Sequence, residues 1–243
     1  MVLHNVVLIT GSETPVGEGI NRPSRCLVRF EDQSTKAAIL KRLSPEGVAA
    51  EAFCALLLRG WGLTVPEPAI VNETLGTSIA FGSIDAGYPN LKQKIGWSDT
   101  FPQHIKEVLA RHGSTLISGF ADTPRALVAD EAISNRDRNF GNILWDGQNV
   151  AWIDHERALG LSPDSDVNKL ANFAILSGNH NAILQSAVAI SLSISPQAVT
   201  ESAIACNGIC NANEFSLQVS SRLSGLANRV LNRFPQPQSL FNP

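Results

Sequence analysis

Asn135-Arg136-Asp137-Arg138-Asn139-Phe140-Gly141-Asn142-Ile143-Leu144-Trp145, followed by Ala151-Trp152-Ile153-Asp154-His155-Glu156, is the stretch whose reading decides the fold. Two apolar runs, Ile143 to Trp145 and Val150 to Ile153, flank Asp146-Gly147-Gln148-Asn149. An Asp-Gly pair between short apolar segments signals a β-hairpin. If Trp145 pairs with Val150, counting back along both strands sets Asn142 opposite Ile153, so that Asn142 and Asp154 emerge at the same open end. An amide oxygen and a carboxylate side by side are hard ligands that suit Mg2+, which takes few protein ligands and keeps its waters. Asp137, five residues before Asn142, lies in the loop leading into the hairpin, close to that position. Taken singly, loop Asp and Asn residues are ordinary turn formers and caps. Their joint spacing singles these three out.

Composition bounds the rest. The chain has 243 residues, 44% of them hydrophobic and 17% charged, which suits one large domain or two small lobes sharing a cleft. A formal charge of -3 gives no basic footprint for nucleic acid, and no window approaches the roughly 18 apolar residues of a membrane span. Met1-Val2-Leu3-His4-Asn5 lacks a cationic segment before an apolar run, so the expectation is a cytoplasmic protein without a secretory signal. Cys26, Cys54, Cys206 and Cys210 are few for this length and read as reduced, mostly buried thiols.

Ahead of the hairpin, His4 to Thr10, Arg25 to Phe30 and Ala37 to Leu43 read as three strands, joined by two more at Ala69 to Asn72 and Ser78 to Phe81. The loop after the first strand carries Ser12, Thr14, Gly17 and Gly19. Its glycines either let backbone amides approach a phosphate or simply form turns. Ser12 and Thr14 are either phosphate acceptors or turn caps. Ser44-Pro45-Glu46 starts a strongly apolar helix to Arg59, interrupted by Glu51. A carboxylate among alanines, Phe53 and Leu56 needs a partner, and Lys41 on the preceding strand is the candidate. Gly82 to Asn90 is rich in turn residues and marks a boundary. The remainder reads as helical: Phe101-Pro102, Thr123-Pro124, Ser162-Pro163, Ser195-Pro196 and Asn213 mark helix starts, three or four of the helices falling after Glu156.

The order Lys41, Glu51, Leu63-x-Val65-Pro66, Asn135-Arg136-Asp137-Arg138-Asn139-x-x-Asn142-Ile143-Leu144-Trp145 and Ile153-Asp154-His155 resembles the HipA-like kinases, over roughly residues 5 to 160. The resemblance implies an α+β, two-lobed protein-kinase-like fold. Its N-terminal lobe (1–82) would be a small antiparallel β-sheet with one helix, followed by a hinge (83–90) and a mainly helical C-terminal lobe (91–243). It implies ATP- and Mg2+-dependent transfer to a serine or threonine, often in toxin-antitoxin modules with an antitoxin-like partner. Under it Lys41, with Gly17, Gly19 and Ser12 of the loop, binds phosphate. Glu51 holds Lys41, and Phe81 and Ile84 flank the adenine. Asp137 positions the hydroxyl, and Asn142 and Asp154 bind the metal. The sequence departs from common protein kinases in its irregular glycine loop, in Asn135 for the usual histidine, and in His-Glu after Ile-Asp. Small-molecule phosphotransferases of the aminoglycoside and choline kinase type share part of the pattern. They usually have an acidic pocket for a cationic substrate, whereas Arg136 and Arg138 here favour anionic contacts. An ATP-binding pseudokinase is the third reading.

Overall fold

The computed structural model of the chain describes residues 1–17, 22–73, 79–161 and 165–236. Its first half contains β1 (His4–Leu8), β2 (Thr14–Pro15), β3 (Ser24–Arg29), β4 (Thr35–Lys41), helix α1 (Pro45–Gly60), β5 (Pro68–Asn72) and β6 (Ile79–Ile84). The side chains of these strands alternate between two faces, as the period of two requires. On β3, Cys26 and Val28 are buried while Arg25, Leu27 and Arg29 are exposed. β5 pairs with β6, β6 with β4, and β4 with β3, all antiparallel, while β1 joins β3 antiparallel and β5 in parallel. Those five strands therefore close on themselves, and β2 pairs with Ser24 and Arg25 at the start of β3, ahead of the residues that β1 pairs with.

The closed ring corrects the expected purely antiparallel sheet. A parallel pair needs a long crossover, and the chain from β2 through α1 supplies it. Val6, Leu8, Cys26, Val28, Phe30, Ala38, Leu40, Ala69, Val71 and Ala80 form a separate apolar cluster inside the ring. The register places inward residues opposite one another: Leu8 faces Val28, Cys26 faces Ala38, and Val71 lies between Val6 and Ala80. So narrow an interior demands small residues. A Cβ added to Gly82 would lie 2.7 Å from a methyl of Val71.

Because Leu40 points inward, its neighbours Ile39 and Lys41 point outward, towards α1 and the cleft described below. Helix α1 starts as its sequence dictates. Ser44 accepts a hydrogen bond from the Gly47 amide (3.1 Å) and Pro45 occupies the first turn. The helix is apolar nearly all round because it is buried nearly all round, against β5 and β6 on one side and a late helix on another.

The second half contains α2 (Leu91–Lys94), α3 (Gln103–Gly119), α4 (Thr123–Ala132), a 3-10 turn at Phe140–Asn142, β7 (Ile143–Trp145) and β8 (Val150–Trp152). It continues with α5 (Lys169–Leu176), α6 (His180–Ser193), α7 (Gln197–Cys206), α8 (Asn213–Leu223) and α9 (Leu226–Leu231). Five helices follow Glu156 among the described residues, where three or four were expected. The extra break is local: Gly225, at φ +73°, turns the chain left-handed between α8 and α9. The expected start at Ser162-Pro163 lies outside the described residues, as does Gly19. Cys26, Cys54 and Cys206 are buried and Cys210 half-buried, all as free thiols. Among the described residues no single helix is long and apolar enough to cross a membrane.

The closed interior makes a testable claim at Gly82. Gly82→Val should overpack the ring and destabilise the protein by about 1–3 kcal/mol, read as a lower urea midpoint. An unchanged midpoint would mean that the ring is open at β6.

Candidate active site

The hairpin has the register that its sequence specifies. Ile143 pairs with Trp152, Leu144 with Ala151 and Trp145 with Val150, and the Ile153 amide donates to the Asn142 carbonyl at 3.2 Å. Asp146 closes the turn by accepting from the amides of Gln148 and Asn149, each at 2.7 Å. At the open end sits Arg138, 1% exposed. Its guanidinium donates to the carbonyls of Asn142 (3.0 Å) and Ile153 (2.7 Å), one from each arm. On its other edge it makes a two-pronged pair with Asp130 at 2.8 and 3.0 Å, and it lies 5.5 Å over the Trp152 ring. Asn135 also binds Asp130 (2.9 Å), and its side-chain oxygen accepts from the Asp137 amide (3.1 Å).

Arg136 is held in the same way. It pairs with fully buried Glu131 through two contacts of 3.1 Å, and Arg233 from beyond α9 binds that carboxylate at 2.9 and 3.0 Å. Asp166 bridges the two arginines. The anionic contacts expected of Arg136 and Arg138 are made inside the protein: both guanidiniums are engaged by the two acids of α4, so they do not bear on the choice of acceptor. The sequence signal overlooked was Asp130-Glu131 inside an otherwise apolar helix, the same signal that drew attention to Glu51.

Lys41 and Glu51 meet at 2.5 Å, and the Lys41 ammonium also binds Asp154 and approaches Glu156 at 3.5 Å. The second oxygen of Glu51 accepts from the His155 amide at 2.9 Å. Glu51 thus joins α1 to the segment after β8 as well as to β4. Burial opposes the charge on Lys41, yet the carboxylates of Glu51, Asp154 and Glu156 outweigh it and hold its pKa above the ordinary lysine value. Burial likewise opposes ionised Glu51, but Lys41 and His155 keep its carboxyl well below the usual range. At Glu156 burial wins over the pull of Lys41 and pushes the carboxyl up. Asp154 has φ +70°, a left-handed conformation that costs a non-glycine residue about 1–3 kcal/mol and persists only where its surroundings impose it.

Asp137 lies across the cleft. Its backbone carbonyl accepts from the side-chain nitrogens of Asn139 and Asn142, both at 3.0 Å. The second of these bonds commits one hydrogen of the Asn142 side-chain nitrogen. The Asp137 carboxylate meets Lys169, the first residue of α5, at 3.0 Å and Arg157 at 3.5 Å. Neither Lys169 nor Glu156 was singled out in the sequence, because both act through long-range contacts.

Lys41, Glu51, Phe81, Ile84, Asp137, Asn142 and Asp154 all line one cleft of about 900 Å³. The stretch from Ser83 to Asn90 lines it too, and it joins the hairpin where the Trp145 amide donates to the Pro89 carbonyl (3.0 Å). Of the loop residues expected to bind phosphate, Ser12 and Gly17 do not line the cleft; Thr14, named as a possible acceptor, does. The Ser12 hydroxyl is spent on the sheet, donating to the Ile9 carbonyl (2.6 Å) and accepting from the Leu27 amide (3.0 Å). The donor set suits a hard divalent cation. Asn142 offers an amide oxygen, and Glu51, Asp154 and Glu156 can bring oxygens within 4.8 Å of one another. Against the single Lys41 ammonium, three carboxylates leave two negative charges over within this group.

No protein-family model matches the sequence, and neither does any curated protein. The fold is shared with solved structures. The proinflammatory kinase CtkA of Helicobacter pylori superposes with a TM-score of 0.55 at 13% identity, covering 96% of this chain and 95% of that one. HipA of Shewanella oneidensis MR-1, solved with HipB and operator DNA, superposes with a TM-score of 0.59 at 14% identity, covering 92% of this chain and 66% of that one. CtkA is a kinase and HipA belongs to a toxin-antitoxin system; the α+β arrangement of this chain is the one they share.

The buried ion pair under the loop generates a prediction. Arg138→Met strands the Asp130 carboxylate in the interior and should cost about 3–5 kcal/mol, measured by chemical denaturation. A loss below about 1 kcal/mol, the range of an exposed pair, would mean that Arg138 does not anchor the hairpin.

Proposed function

We propose that this chain is an ATP- and Mg2+-dependent phosphotransferase of the HipA-like kind, with a serine or threonine of a protein as acceptor. One observation carries the reading: in a fold shared with CtkA and HipA, Lys41, held by Glu51 and in contact with Asp154, lines a single cleft with Asn142 and Asp137. Phosphoryl transfer asks little covalent chemistry of a protein and much positioning of charge, and this set supplies it.

In this reading the ring of strands and α1 form the N-terminal lobe, which β6 carries two residues past the expected bound of 82, to Ile84; residues 85–90 are the hinge, shorter than the expected 83–90, and 91–243 the second lobe. Lys41 binds the nucleotide phosphates, and Glu51 keeps it in place. Asn142 and Asp154 hold the Mg2+, which when bound offsets charge on the phosphates. Phe81 and Ile84 flank the adenine. Asp137 orients the acceptor hydroxyl. The cations beside Asp137, Lys169 and Arg157, disfavour the cationic acceptors of aminoglycoside or choline kinases. That HipA was solved with HipB makes an antitoxin-like partner part of the proposal.

The test is incubation of the purified chain with labelled ATP and Mg2+, followed by peptide mapping. Label on a serine or threonine, Thr14 included, is the expected result. Asp137→Ala should lower turnover by about 100- to 10,000-fold with the fold intact. Label on a small alcohol would identify the small-molecule enzyme, and no turnover a nucleotide-binding pseudokinase. An Asp137→Ala rate equal to wild type would remove Asp137 from the mechanism.

A further inference from the structure

Asp137 is the proposed hydroxyl-orienting group, and its backbone and side chain are fixed by different parts of the fold. The loop itself holds the backbone, through Asn135, Asn139 and Asn142. The carboxylate is held from outside, by Lys169 at 3.0 Å and more distantly by Arg157 at 3.5 Å. Lys169 is itself well anchored. The residue before it, Asn168, is 1% exposed and caps α5 by accepting from the amides of Leu170 (3.1 Å) and Ala171 (3.4 Å). The Asn168 side-chain nitrogen donates to the Leu127 carbonyl of α4 at 3.1 Å.

The same helix therefore fixes both partners. One turn on from Leu127, Asp130 and Glu131 bind Asn135, Arg136 and Arg138 of the loop. With both ends tied to α4, the Lys169 ammonium and the Asp137 carboxylate meet in a set geometry, unlike two long surface side chains that find each other by chance. At 38% and 25% side-chain exposure the pair contributes little to stability. Its consequence falls on orientation: Lys169, which does not line the cleft, holds Oδ1, and Oδ2 lies on the side of Arg157, which does line the cleft and stands at the longer distance of 3.5 Å.

We propose that Lys169 is a positioning residue for phosphoryl transfer, holding one oxygen of Asp137 so that the other meets the acceptor hydroxyl. The inference rests on the kinase reading of the cleft and extends it to a helix outside the catalytic loop. No bond to Lys169 forms or breaks in the reaction. A misdirected carboxylate leaves nucleotide binding intact and slows transfer.

The experiment compares wild type with Lys169→Met, Lys169→Arg, Asp137→Asn and the Asp137→Asn/Lys169→Met double variant. Lys169→Met should lower kcat about 10- to 100-fold. Its KM for ATP, its affinity for a non-hydrolysable ATP analogue by calorimetry and its thermal midpoint should stay within experimental error of wild type. Lys169→Arg, which keeps the cation, should recover most of the rate. Lys169→Met should add no further loss on the Asp137→Asn background, because the lysine acts through the aspartate. Full or increased activity of Lys169→Met beside a dead Asp137→Asn overturns the proposal and leaves the kinase reading standing. So does a fall in analogue affinity as large as the fall in kcat, or an additive loss in the double variant. Full activity of Asp137→Asn, or no turnover in wild type, overturns both together.

Discussion

A single buried guanidinium decides where the cleft's groups stand. Arg138 gives hydrogen bonds to one carbonyl on each arm of the β7–β8 hairpin and closes its remaining edge on Asp130. Removing such a cation from water is costly, and only a complete set of partners offsets the cost. Completeness is what converts the pair into a geometric constraint: Asn142 and Ile153 cannot separate without uncovering a charge in the interior. Asp154 follows Ile153 directly, so its position relative to Asn142 is inherited from that constraint. Glu131 repeats the device one residue along, gathering Arg136 and Arg233.

The second constraint runs between the ring of strands and the hairpin. Lys41 lies on the outer face of β4 because Leu40 fills the inner one, and Glu51 reaches it from the middle of an apolar helix. Asp154, in its left-handed conformation, and Glu156 complete the group from the other side of the cleft. Packing thus brings more negative than positive charge to one point. Electrostatic self-repulsion of this kind is expected where a protein is built to receive a cation, and it is tolerated because Lys41 and the His155 amide share the load.

Much of this was legible in the chain. The hairpin register could be counted because the side-chain period in a strand is two and the Asp-Gly turn fixes the start. The Ser44 cap, the course of α1 and the Lys41–Glu51 pair follow from local rules and from the cost of a lone buried carboxylate. Closure of the ring was not legible, since the parallel β1–β5 pair joins segments more than sixty residues apart and leaves no periodic trace. Arg136 and Arg138 were read as favouring anionic contacts, but that those anions belong to the protein itself was not legible, for a related reason. The helix starting at Thr123-Pro124 was expected, but Asp130 and Glu131 within it were not weighed as the partners of these two guanidiniums. Ser12 carried equal ambiguity, and the backbone of its own sheet took up its hydroxyl.

Asn142, Asp154 and Lys41 are proposed to address one nucleotide-metal complex. That proposal is tested most directly by calorimetric titration of a non-hydrolysable ATP analogue, with and without Mg2+, into wild type and Asp154→Asn. The account predicts that Mg2+ strengthens binding to wild type and that Asp154→Asn loses this enhancement while retaining most of the metal-free affinity. Equal weakening with and without Mg2+ would contradict it, making Asp154 a residue of the scaffold.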